Sequence, residues 1–206
     1  MYTSELFNLD GVLITTHVTT KVKIIDDILE SLLYPADSDE IKVIGFDIEW
    51  CLSNEDEGSE TKPTTKCATL HLCDENTCLI IQLLHMYRVP VSLLNFLRLP
   101  DYTFVGVGIK ENLNKFEKYY GIRCRNAVEL GPLAASVMKM PRLSACGIDE
   151  LALVVSKLNI RRHRPLSVVF NNWGHHELSK KLAKLATVNV YSYFNVGSKL
   201  LAAEAD

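Results

Sequence analysis

Apolar and polar residues alternate through LFNLDGVLITTHVTT (6–20), and the alternation breaks at Asp10-Gly11. This pattern predicts two strands joined by a tight turn, a hairpin over 5–19. The period then changes. Ile24, Ile25, Ile28, Leu29, Leu32 and Leu33 recur at the three- and four-residue spacing of one helix face. IKVIGFDIEW (41–50) returns to a strand, and a polar, acidic loop over 51–65 follows, carrying Glu55, Asp56, Glu57 and Glu60. CATLHLC (67–73) and TCLIIQLL (77–84) flank a short turn and read as a second hairpin. SLLNFLRL (92–99) reads as a helix and YTFVGVGI (102–109) as a strand. ENLNKFEKYYG (111–121) is a helix stopped by Gly121, and NAVEL (126–130) a short strand. GPLAASVMK (131–139), GIDELALVVSKLN (147–159) and a stretch from about His175 to Ala203 read as helices. This succession predicts one α/β domain over 1–206, with a mixed sheet flanked by helices.

One strand carries unusual chemistry. In IGFDIEW (44–50), Asp47 and Glu49 stand two apart in an otherwise apolar run. A strand sends residues i and i+2 to one face, so both carboxylates point the same way. Burying one unpaired carboxylate is costly, and two side by side cost more. A metal ion, a cationic side chain or exposure at the strand end would each relieve them.

Composition removes some alternatives. The chain has 206 residues, a formal net charge of −3 and a pI near 6.1, so it does not grip nucleic acid by bulk positive charge. Hydrophobic residues make up 48%, which leaves room for a self-association surface and a homo-oligomer. The start MYTSELFNLDG lacks a basic stretch followed by an apolar one, and no apolar run reaches membrane-spanning length. The expectation is an intracellular protein, in nucleus or cytoplasm, with no membrane partner. Six scattered cysteines fit reduced thiols, and Cys73 and Cys78 lack the second close pair of a zinc site. Gly106 and Gly108 lack the third glycine of a dinucleotide-binding loop. His175 and His176 have no metal-ligand partners at a defined spacing and read as surface or capping residues. The concentrated basic patch is RRHRP (161–165).

Taken in order, the motifs resemble the DEDDy-type 3'–5' exonucleases, especially the Werner-syndrome-like exonuclease domains of plants. Asp47-Ile48-Glu49 resembles the first motif, FVGVGIKENLNKFEKYYGI the second, and LATVNVY (185–191) the third. The resemblance implies a ribonuclease H-like fold. It also implies a centre where two metal ions, ~4 Å apart, are held by four carboxylates. Those four positions are 47, 49, 112 and 189; here they read Asp47, Glu49, Asn112 and Asn189. The family tyrosine that orients the attacking water is Leu185, four residues before Asn189. An amide oxygen is neutral and leucine has no hydroxyl. Magnesium or manganese is therefore expected at Asp47 and Glu49 only weakly, or not at all, with lysine or arginine as the other way to hold the two acids. Tyr191 and Tyr193 are read as lying on other helix faces, and Glu111 as turned away from Asn112. Arg161, Arg162 and Arg164 fall where the family has a basic segment near its nucleic-acid path, so weak nucleic-acid binding is expected of them. The expectation is an exonuclease-family domain that is inactive or very weak, with a binding or assembly role. The alternative is an active metal-dependent enzyme that trims nucleic-acid 3' ends.

Overall fold

The computed structural model describes residues 1–33, 42–53, 64–164 and 172–205. The break at Asp10-Gly11 is a two-residue turn in which both residues take positive φ, 57° and 97°. That geometry matches the twist of the flanking strands, β1 (Tyr2–Leu9) and β2 (Val12–Thr19). β3 (Lys42–Ser53), β4 (Thr64–Cys73) and β5 (Thr77–Ile81) form an antiparallel meander. β6 (Tyr102–Gly106) and β7 (Ala127–Glu129) add in parallel. The seven strands make one mixed sheet in the order β1-β2-β5-β4-β3-β6-β7.

Helices cover both faces of this sheet. On one lie α1 (Val22–Ser31), α2 (Val91–Phe96) and α3 (Ile109–Tyr120), packed on Ile44, Phe46 and Ile48. On the other lie α4 (Leu130–Val137), α5 (Ile148–Ser156) and the long α6 (Lys180–Ala205), packed on Val43 and Val105. Alternation along β3 therefore sends Asp47 and Glu49 to the α6 face, where two acids sit beneath a helix. α6 comes close because Gly45 has no side chain: a Cβ there would lie 2.0 Å from the Val190 carbonyl oxygen. Three strands across the sheet, the Thr16 and Thr187 hydroxyls meet at 2.8 Å in the core and tie β2 to α6.

Several boundaries differ from the sequence expectation; β6, for one, stops at Gly106 and the helix after it already begins at Ile109. β3 and β4 continue pairing through Cys51↔Lys66, Leu52↔Thr65 and Ser53↔Thr64, so both ends of the expected 51–65 loop are strand. The acids at 55, 56, 57 and 60 lie outside the described residues. The last helix starts at Lys180, not near His175. The buried Gln82 side chain donates to the His175 and His176 carbonyls, at 3.0 and 3.2 Å, and satisfies them outside a helix. Among the described residues, no helix is long and apolar enough to cross a membrane.

Candidate active site

Asp47 is only 7% exposed, and Glu49 is half-buried beside it. Asp47 Oδ1 accepts from the Ile48 N–H at 2.9 Å. Burial, and then the neighbouring Glu49 charge, push the Asp47 carboxyl well above its usual range, while Arg164 pulls it back down. Burial pushes Glu49 up to about 7. The pair is thus under the electrostatic stress that its sequence placement implied.

α6 faces these acids with residues one turn apart. Leu185 is buried in the core, and Asn189, one turn on, is 7% exposed. The Arg164 Nε donates to Asn189 Oδ1 at 2.7 Å, while its Nη1 lies 2.7 Å from Asp149 Oδ2 on the first turn of α5. The guanidinium therefore bridges α5 and α6 alongside Asp47. This placement splits the basic patch. Only 18% of the Arg164 side chain is exposed. Arg162 and His163 both engage Asp10 in the β1–β2 turn, while Arg161 faces solvent. Of the three arginines read from sequence as nucleic-acid contacts, one is turned inward and one is paired to the protein's own aspartate.

On the other side, α3 brings Asn112 toward the end of β3. A register shift between Glu49 and Trp50 turns the indole so that its Nε1 donates to Asn112 Oδ1 at 3.0 Å. Glu129, ending β7, accepts from the Gly108 N–H at 2.6 Å and so satisfies a donor at the start of α3. Glu111 is exposed and paired with Lys115.

Two residues of the site were missed from sequence. Tyr193 is on the face of Asn189, not on another: the four-residue spacing that joins Leu185 to Asn189 also joins Asn189 to Tyr193. Its phenol is buried, and burial, followed by the charge of Asp47, raises it far above the usual value, so it stays neutral. That signal was available in the sequence. Asp149 carried no comparable signal, because its link to Arg164 spans two elements.

The donor set can be weighed against two divalent ions. Two carboxylates face the cleft, both amide oxygens already accept from fixed donors, and a permanently charged guanidinium stands among them. Such a set does not suit a two-ion centre, which needs unengaged anionic oxygens. Among the described residues, no group of three or more His, Cys, Asp or Glu side chains is arranged to hold a metal.

Comparison with solved structures places this architecture. Escherichia coli RNase D, an exoribonuclease involved in structured RNA processing, superposes with a TM-score of 0.71 over 91% of this chain, at 18% identity. The fold is that of the 3'–5' exonucleases. The Aedes aegypti Nibbler EXO domain shares this exonuclease fold at a TM-score of 0.68 and 12% identity, over 92% of this chain and 88% of that one. The catalytic core of Trypanosoma brucei RRP6 also gives 0.68, at 14% identity over 95% of this chain. The chain spans 45% of the RNase D chain and 48% of the RRP6 chain. By sequence, it is 27% identical over 158 residues to the Arabidopsis thaliana protein RISC-interacting clearing 3'–5' exoribonuclease 1, covering 76% of this chain and 75% of that protein. No family profile matches the chain.

Proposed function

We propose that this protein is a DEDDy-type exonuclease domain, of the Werner-like kind, whose hydrolytic centre is inactive or strongly impaired and which binds nucleic-acid ends weakly. One observation carries this reading. The side-chain oxygens of Asn112 and Asn189, at two of the four ligand positions, accept from Trp50 and Arg164 instead of facing the cleft as anions. Ligand charge is halved relative to a four-carboxylate centre. Leu185 removes the hydroxyl that would hold an attacking water. The 27%-identical exoribonuclease supports a nucleic acid as the ligand class.

The test is turnover of single-stranded RNA, single-stranded DNA and recessed 3' ends, each with magnesium and with manganese. The expected result is no trimming beyond that of Asp47→Ala. Nuclease rates in the wild type that vanish in Asp47→Ala would overturn the proposal. Restoring Asn112→Asp and Asn189→Asp, and then Leu185→Tyr, is expected to bring the first measurable trimming. The alternative, an active metal-dependent 3'–5' exonuclease, draws on the intact Asp47–Glu49 pair and makes the opposite prediction for the wild type.

A further inference from the structure

We infer that Arg164 is a built-in counter-ion, held in the cleft by the protein's own strap, and that it competes with divalent cations for Asp47. The inference deepens the proposed function and rests on it, because it names what holds the impaired centre free of metal.

Three sets of contacts carry it. First, the guanidinium is anchored at two points inside the cleft, Nε on Asn189 Oδ1 and Nη1 on Asp149 Oδ2, each at 2.7 Å. A planar fork suits such two-pronged holding, and a lysine ammonium would not reproduce it. Second, the segment that presents Arg164 is pinned from outside. The 3-10 turn Ile160–His163 buries Ile160 in the core on the α6 side. Two further residues of that turn, Arg162 and His163, bind Asp10 in the β1–β2 turn, with His163 Nε2 at 3.0 Å from Asp10 Oδ1. The strap thus joins positions more than 150 residues apart, and its last residue delivers the charge. Third, the charges call for it. Asp47 is buried with Glu49 half-buried beside it, and a buried acid without compensation is strongly destabilising. Arginine cannot shed its proton, so its charge is permanent. A divalent ion arriving at Asp47 would meet that charge on Asn189, which faces the same acid from α6, and repulsion in a partly buried site is only weakly screened.

The experiment is manganese binding to the full chain, read by calorimetry and by the spin-resonance signal of free manganese. The wild type is expected to show no saturable binding at millimolar metal. Arg164→Gln is expected to bind about one ion, tighter than the wild type by about tenfold or more, the scale of one removed like charge in a partly buried site. Adding Asp47→Asn should abolish that gain. Equal manganese affinity in wild type and folded Arg164→Gln overturns the inference, as does a gain that survives Asp47→Asn. Should Arg164→Gln fail to fold, Asp10→Asn loosens the strap from outside the cleft; a gain in affinity there supports the inference and no gain overturns it. A wild type that binds manganese tightly yet trims nothing sinks only this inference. Wild-type trimming that depends on Asp47 sinks the function proposal itself.

Discussion

Gly45→Ala is expected to destabilise the protein by about 4 kcal/mol or more, beyond the usual range for overpacking. The added Cβ would sit 2.0 Å from the Val190 carbonyl oxygen and 2.9 Å from the Phe194 nitrogen. Both obstacles are helix backbone, so no side chain can rotate away. α6 would have to lift from β3, and Asn189 and Tyr193 would leave Asp47 with it. The core on this face would loosen too, because α6 contributes Leu185, Val188, Val190 and Val196 to it. Urea unfolding followed by circular dichroism measures the effect. Gly147→Ala is the control: its backbone has negative φ and a Cβ would meet nothing within 4 Å. That substitution is expected to cost about 1 kcal/mol or less, because reduced freedom of the unfolded chain offsets part of the preference for glycine over alanine at this helix N-cap. A wild-type unfolding midpoint for Gly45→Ala would contradict the close helix–sheet contact on which the site geometry depends.

The second large effect is on acid stability. His71 on β4 is fully buried, its Nε2 lies 2.7 Å from Thr69 Oγ1, and its ring packs 5.5 Å from that of Trp173. Its Nδ1 has no hydrogen-bond partner among the described residues. Burial lowers the His71 pKa from 6.5 to about 3. The unfolded chain therefore binds a proton below pH 6.5 that the native state refuses. Stability from this group is complete above pH 6.5 and drains away as pH falls toward 3. The loss is on the order of 4 kcal/mol, an upper figure for one group. Glu49 works in the opposite sense: with its native carboxyl pushed up to about 7, acidification through that pH stabilises the fold. The difference between wild type and His71→Phe isolates the histidine. That variant is expected to be about 1 kcal/mol less stable at pH 8, from the orphaned Thr69 hydroxyl, and to overtake the wild type by pH 4. Parallel stability–pH curves for the two proteins would rule this account out.

What was legible in the sequence was local. The Asp10-Gly11 turn follows from two residues that tolerate positive φ, and the shared face of Asp47 and Glu49 from the two-residue period of a strand. The order of strands and helices follows from where that period gives way to 3.6. The motif order named the exonuclease fold, and residue identity alone put amides at 112 and 189. Where local reading slipped, the cause was tertiary: Gln82 satisfies carbonyls near His175, so the last helix begins later, and strand pairing carries β3 past Cys51. Tyr193 was within reach, since four-residue spacing runs forward from Asn189 as well as back.

The destination of Arg164 lay beyond any such rule. In the chain it is one of three neighbouring arginines, with the composition of a solvated loop. Its partners, Asp149 and Asn189, stand 15 and 25 positions away, and the Asp10 that pins its neighbours stands more than 150 away. Period and propensity report the forces between residues a few positions apart. The pairing of a guanidinium with a distant carboxylate is set by how whole elements pack, and here by a glycine that lets α6 settle onto β3. The sequence by itself therefore determined the fold, the Asp47–Glu49 pair and the amides at 112 and 189. Only the tertiary structure decided that an arginine of the same chain stands beside them.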